Sequence, residues 1–275
     1  MTATSPRVRP WTRRFRYGWA VEAGLGVAVY LLYDVLRDRA AGAGAVALRN
    51  ARDLVRWERT LGLYQEHRLQ RAFIDWPWFL SFWNIYYGTI HFVMPVVALV
   101  TLWRRDPQRY IVWRNILLVM LALGLGVFAL YPLMPPRLMP ARFGFTDTAA
   151  AFFNFGPQQR VVLVHGVPNG GARDAFGNLF AAMPSFHAGW SMWSALALWP
   201  VVRSRWIRAL LALYPVGTTF AIVVTANHWI LDAVGGWAVL LVAWAIVTLW
   251  ERWRHPVGSA DALATVADAP VPTHA

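Results

Sequence analysis

The sequence has no cysteine and no lysine, and only 15% of its 275 residues are charged. The first absence excludes disulfides, thiolate nucleophiles and cysteine-ligated zinc. The second leaves arginine, which supplies all 26 basic residues, as the permanent cation; only charged histidine could otherwise clamp a phosphate. The shortage of charge, against roughly 25% in a soluble globular domain, argues against that class. Apolar residues take up the difference: 57% are hydrophobic, 17 are Trp, and the mean hydropathy is +0.38. This is the composition of an integral membrane protein. The net charge of +12 then reads as arginine-rich loops facing anionic lipid, not as a nucleic-acid surface.

Six apolar stretches are long enough to cross a hydrocarbon core of ~30 Å, which takes about 20 helical residues. They are 17–36, 79–103, 111–132, 184–202, 207–226 and 231–250. The expected fold is all-α, a polytopic helical bundle. An arginine-rich tail, 1–16, precedes a membrane domain over 17–250, and a tail rich in Ala, Pro and Thr, expected to be disordered, ends the chain over 251–275. Arg7, Arg9, Arg13, Arg14 and Arg16, then Arg104, Arg105, Arg109 and Arg114, then Arg203, Arg205 and Arg208, and finally Arg252 and Arg254 fall on one side of a six-span arrangement. The positive-inside rule makes that side the cytoplasm, with both termini inside a plasma or inner membrane. Residues 37–77 carry eight Arg on the opposite side, offset by Asp38, Asp53, Glu58, Glu66 and Asp75. Apolar residues from Val46 to Leu69 recur there at loosely helical spacing, so 45–73 is expected to be an interfacial amphipathic helix, with Glu58 and Glu66 solvated or paired with nearby Arg. Trp residues bracket the spans as interfacial anchors, with Trp76, Trp78 and Trp229 at the outer level. The first stretch resembles a signal peptide, but its apolar core is long for one, and Asp34, Arg37 and Asp38 crowd the cleavage zone.

Chemistry converges at the outer level. Met183-Pro184-Ser185-Phe186-His187 opens the fourth span. A helix beginning at Pro184 would turn the amides of Ser185, Phe186 and His187 toward an anion. The fifth span climbs back to His228 at the same level, and Asp232 follows at i+4, where on a continuing helix it would share a face with His228 and hold one imidazole nitrogen. Gly235-Gly236 would admit a close neighbour. The third span ends in Tyr131-Pro132-Leu133-Met134-Pro135-Pro136-Arg137-Leu138-Met139-Pro140, a stiff turn presenting Arg137. His91 lies mid-span beside Tyr86 and Tyr87, where an ionisable group is costly without a partner. His67, His165, His255 and His274 have no metal-ligand spacing, and no metal or other cofactor is expected.

Pro184-Ser185-Phe186-His187 followed by His228-Trp229-Ile230-Leu231-Asp232 resembles the type 2 phosphatidic acid phosphatase superfamily, which carries a Pro-Ser-Gly-His motif and a later His-x-x-x-Asp motif. The segment Pro135-Pro136-Arg137-Leu138-Met139-Pro140 resembles the bacterial relatives of fungal inositol phosphorylceramide synthase, a branch of that superfamily. The likeness runs roughly from 45 to 250. It implies that His228 is the nucleophile, Asp232 its orienting carboxylate, and His187 the general acid and base. Arg137, Ser185 and the amides at Phe186 would bind phosphate oxygens, without a metal. The sequence departs from the superfamily at Leu130, where the first motif has Lys, at Ala221 and Ile222, where the third has Ser-Arg, and at Phe186, where the second has Gly. Two cations of the phosphate cage are therefore missing. Arg142, Arg160 and Arg173 in the outer loop 133–178, and His91, are the candidate replacements.

The resemblance implies a lipid-phosphate phosphatase or a phospho-head-group transferase with a lipid-phosphate substrate in the bilayer. The competing classes are a transporter or flippase and a catalytically inactive scaffold. A transporter favours inverted repeats and charges at the midplane, whereas this sequence has no repeat and gathers its ionisable residues at one level.

Overall fold

The computed structural model describes residues 44–148 and 180–254, together with positions 18, 22, 24, 163, 164, 167 and 168. Two helices, α1 (Gly44–Thr60) and α2 (Glu66–Phe73), precede a bundle of α3 (Pro77–Arg105), α4 (Pro107–Leu130), α5 (Phe186–Leu198), α6 (Arg205–Val224) and α7 (Ile230–Arg254). The sole sheet among the described residues is an antiparallel pair of two-residue strands, Leu163–Val164 and Val167–Pro168.

Helices α3, α4, α6 and α7 are long and apolar enough to span a membrane. They match the second, third, fifth and sixth expected spans. Their outward faces carry the exposed apolar residues, among them Phe82, Val93 and Val97 on α3, Leu210 and Leu213 on α6, and Leu241 and Leu249 on α7. The first expected span, 17–36, lies outside the described residues except at Gly18, Glu22 and Gly24, which are helical; Glu22 pairs with Arg114 on α4. The fourth differs from expectation. Instead of filling 184–202, α5 has 13 residues and is only about 20 Å long at 1.5 Å per residue, short of a ~30 Å core. The tail 1–16, the tail beyond Arg254, and Arg160, His165 and Arg173 of the outer loop lie outside the described residues.

Local chemistry sets the helix limits. Pro77 and Pro107 occupy first-turn positions, where the missing N–H costs nothing. Asp106 ends α3 and caps α4, accepting the Arg109 amide at 3.0 Å. In the bundle interior, Ala98, Ile116, Met120, Trp193, Leu211, Leu240 and Ala243 form one buried core.

The expected amphipathic helix over 45–73 is two helices, broken at Leu61–Gln65, where Gly62 takes a left-handed φ of 71°. Ala47, Leu48, Ala51, Leu54 and Val55 form the buried stripe of α1. It packs on Leu133, Met134, Leu138, Phe180 and Trp229. Asn50 Nδ2 donates to Pro132 O (2.8 Å), joining α1 to the proline-rich turn after α4. Trp229 is no interfacial anchor: it is fully buried, its indole N–H donates to Met134 O (2.9 Å), and its ring stacks near Tyr64. Trp76 and Trp78 are exposed, as anchors are.

Candidate active site

The α4–α5 and α6–α7 connections converge beside the middle of α3, and the site's side chains come from these three places. Helix α5 begins at Phe186, two residues later than expected, with Ser185 as its cap: Ser185 Oγ accepts the Ala188 amide at 3.4 Å. The Ser185 amide is not free for an anion, because it donates to Asp232 O at 2.9 Å. The first-turn amides of Phe186 and His187 have no acceptor within their own helix. The Phe186 ring turns away into the bundle, against Phe128 (5.0 Å between centroids) and Trp190 (5.3 Å), over the notch left by Gly124.

Helices α5 and α7 touch through backbone. A Cβ on Gly236 would lie 2.2 Å from Ser185 O, and one on Gly189 would lie 3.0 Å from Gly236 O. The expected close approach is therefore present, and Gly236 is the position that permits it.

His228 is not on a helix continuing to Asp232. It sits in the turn 225–229 between α6 and α7, where Ala226 has a φ of 55° and the His228 amide donates to Ile222 O (3.1 Å). The pairing with Asp232 nevertheless forms. His228 Nδ1 lies 2.8 Å from Ala182 O and 3.3 Å from Asp232 Oδ2. Because a carbonyl can only accept, Nδ1 carries the proton and Nε2 presents its lone pair. Asp232, fully buried, also accepts the Trp229 amide at 2.9 Å.

His187 stands beside His228, with ring centroids 5.3 Å apart. Tyr87 stacks on His187 at 4.1 Å, and His91, one turn further along α3, lies 3.9 Å from the same ring. His91 Nδ1 is 2.6 Å from Tyr87 O. These contacts set His187 beside the middle of α3, about 20 Å from either end of that helix. Among the described residues, no group of three or more His, Asp or Glu is arranged to hold a metal ion.

Arg137 reaches the site through its backbone: its amide donates to Ala226 O (2.8 Å) in the His228 turn, while its guanidinium pairs with Asp147 at 3.1 Å. Arg142 is exposed, its guanidinium 5.5 Å above the ring of Phe143. His91, His187, His228, Asp232 and Ser185 are thus brought together. Arg137 adjoins them, and Arg142 lies on the following turn.

Sequence reasoning missed four contributors. Tyr87 is noticed only as a neighbour of His91, and nothing in its spacing marks it as the stacking partner of His187. The Ala182 carbonyl has no signal in a side-chain motif. Glu58 and Glu66, expected to be solvated or paired with Arg, are fully buried. Their acceptor oxygens take the Leu231 and Ile230 amides at the start of α7, both at 2.9 Å.

No curated protein matches the chain, and no solved structure does. A family model described as the PAP2 superfamily matches residues 52–246, a stretch that contains α3 to α6 and every described side chain of the site. The chain belongs to the PAP2 superfamily, whose members are typically phosphatases.

Proposed function

We propose that the protein is a membrane lipid-phosphate phosphatase or phospho-head-group transferase that works through a phosphohistidine on His228. The observation that carries this reading is the Nδ1 anchorage of His228 to Ala182 O and Asp232, which leaves Nε2 as an unprotonated nucleophile beside a second imidazole. Nε2 attacks phosphorus, and the bond to the leaving alcohol oxygen breaks as His187 gives that oxygen a proton. His187 then takes a proton from the acceptor hydroxyl, which attacks phosphorus and releases His228. Asp232 offsets the positive charge that the phosphorylated imidazole acquires. The amides of Phe186 and His187, the Ser185 hydroxyl and Arg137 hold the equatorial oxygens, with His91 and Arg142 as further contacts in place of the missing cage cations.

Water as acceptor makes the enzyme a phosphatase; a lipid or polyol hydroxyl makes it a transferase of the inositol phosphorylceramide synthase-like branch. The arginine distribution supports an extracytoplasmic site with both termini inside. Purified protein incubated with ³²P-labelled phosphatidic acid and candidate acceptors distinguishes the outcomes: free phosphate for hydrolysis, a new labelled lipid for transfer. His228→Ala abolishes both and leaves no acid-labile label on the protein. Full turnover by His228→Ala overturns the reading in favour of a scaffold or transporter, and activity abolished by EDTA overturns the metal-free mechanism.

A further inference from the structure

The first turn of α7 begins two residues after His228 and holds Asp232, so its placement sets the geometry of both. Three successive amides open it, and each is taken by a carboxyl oxygen at 2.9 Å: Trp229 by Asp232, Ile230 by Glu66 and Leu231 by Glu58. One acceptor is local. The other two come from α2 and α1, 164 and 173 positions away in the sequence respectively. Helix starts are ordinarily capped by the residue just before them; here the cap is supplied in trans from outside the bundle.

The second oxygens of Glu58 and Glu66 have no other donor among the described residues, and the two carboxyls face each other. Two adjacent carboxyls out of water do not both ionise. One proton between them satisfies both remaining oxygens, leaves a single negative charge, and keeps the Oε1 atoms as acceptors for α7. Burial, and then the neighbouring carboxyl, push Glu58 up to about 9, so the proton is retained at neutral pH.

We propose that Glu58 and Glu66 are positioning residues of the phosphoryl-transfer site, a proton-sharing carboxyl pair that clamps the first turn of α7 and so fixes His228 against Asp232. This rests on the phosphohistidine reading above. Neither glutamate touches the substrate. Their effect passes through the Ile230 and Leu231 amides to the spacing of His228 and Asp232. The clamp also consumes the positive end of α7, which leaves the α5 start to bind the phosphate. The other ionisable groups around the pair are Asp232 on α7, with His228 behind it, Arg59 in the last turn of α1, and Tyr64 in the α1–α2 connection.

The test uses the full-length protein in detergent with a short-chain phosphatidic acid. Glu58→Leu and Glu66→Leu lower kcat by about 100-fold, as expected for a displaced reacting group, with KM changed less than about threefold. Glu58→Gln keeps an acceptor for Leu231 and recovers at least about tenfold of that kcat. It also removes the alkaline limb of the kcat profile, since its amide donates to Glu66 at every pH. If the Leu variants do not fold, Glu58→Gln decides alone, and an alkaline limb unchanged from wild type overturns the proposal. Leu variants with wild-type kcat overturn it as well. An inactive His228→Ala alongside fully active Leu variants sinks the clamp and spares the mechanism, whereas an active His228→Ala sinks the mechanism itself.

Discussion

The phenol ring of Tyr87 lies on the imidazole of His187, centroids 4.1 Å apart and planes 16° from parallel. In the proposed mechanism His187 delivers a proton to one oxygen and collects it from another, which calls for a fixed ring plane. The stack supplies it, and His91, one turn along α3, adds a second ring contact. Aromatic pairs of this kind contribute about 0.5–1.5 kcal/mol beyond burial. Tyr87→Ala is therefore expected to lower kcat by roughly tenfold. The measurement is steady-state turnover of a lipid phosphate, with chromatographic behaviour in detergent as the folding control.

Asp232→Asn separates shape from charge. The amide oxygen still accepts the Trp229 N–H, so the turn keeps its form, but the phosphorylated imidazole loses its counter-charge. Turnover falls by at least about 100-fold. Trapping with ³²P-substrate reads slower formation of the acid-labile intermediate, while Tm stays within a few degrees of wild type.

Gly236→Ala puts a methyl group 2.2 Å from the Ser185 carbonyl, a backbone atom that cannot rotate away. The α5–α7 crossing must open, at a cost of about 1–3 kcal/mol, and Ser185 moves with it. Loss of activity together with a lowered Tm is expected. Gly235→Ala is the comparison: its nearest neighbour is the flexible end of Met183 at 3.2 Å, so both losses are smaller. Equal damage from the two substitutions would contradict this account of the crossing.

Stability is expected to fall as pH rises. Burial raises Glu58 from 4.5 to about 9, so the folded state binds a proton that the unfolded chain releases. The contribution is fully present below about 4.5 and is lost progressively up to about 9. Burial raises Glu66 in the same direction. Thermal unfolding in detergent across that window should give a declining Tm, with a flatter decline for Glu58→Gln.

The sequence made four of the expected spans and the clustered site residues legible for the same reason: each depends on short-range pattern. Hydropathy located α3, α4, α6 and α7 because lipid demands an unbroken apolar run. His187, His228 and Asp232 stood out because motif spacing is local. The half-length of α5 was hidden, because residues 199–202 stay apolar in composition while the chain has already turned. The later start of α5 was hidden too, since Pro184 is compatible with a first turn and only the Ser185 cap settles the boundary. The packing of His187 against Tyr87 and His91 depends on where α3 passes the site, which no spacing within 184–232 encodes. Glu58 and Glu66 were misjudged because a carboxylate among arginines reads as solvated. Only the tertiary fold reveals that α1 and α2 turn them toward α7 and away from water.

The trans cap also has a bearing on biogenesis. A nascent chain that has emplaced its helices up to Val224 already contains Glu58 and Glu66, but not the Ile230 and Leu231 amides that they receive. On the proposed mechanism, two carboxyls then await donors, and His228 lacks its fixed partner until the final helix seats. Contacts across 164 and 173 positions are slow to form. The proposed catalyst would therefore switch on only as insertion is completed.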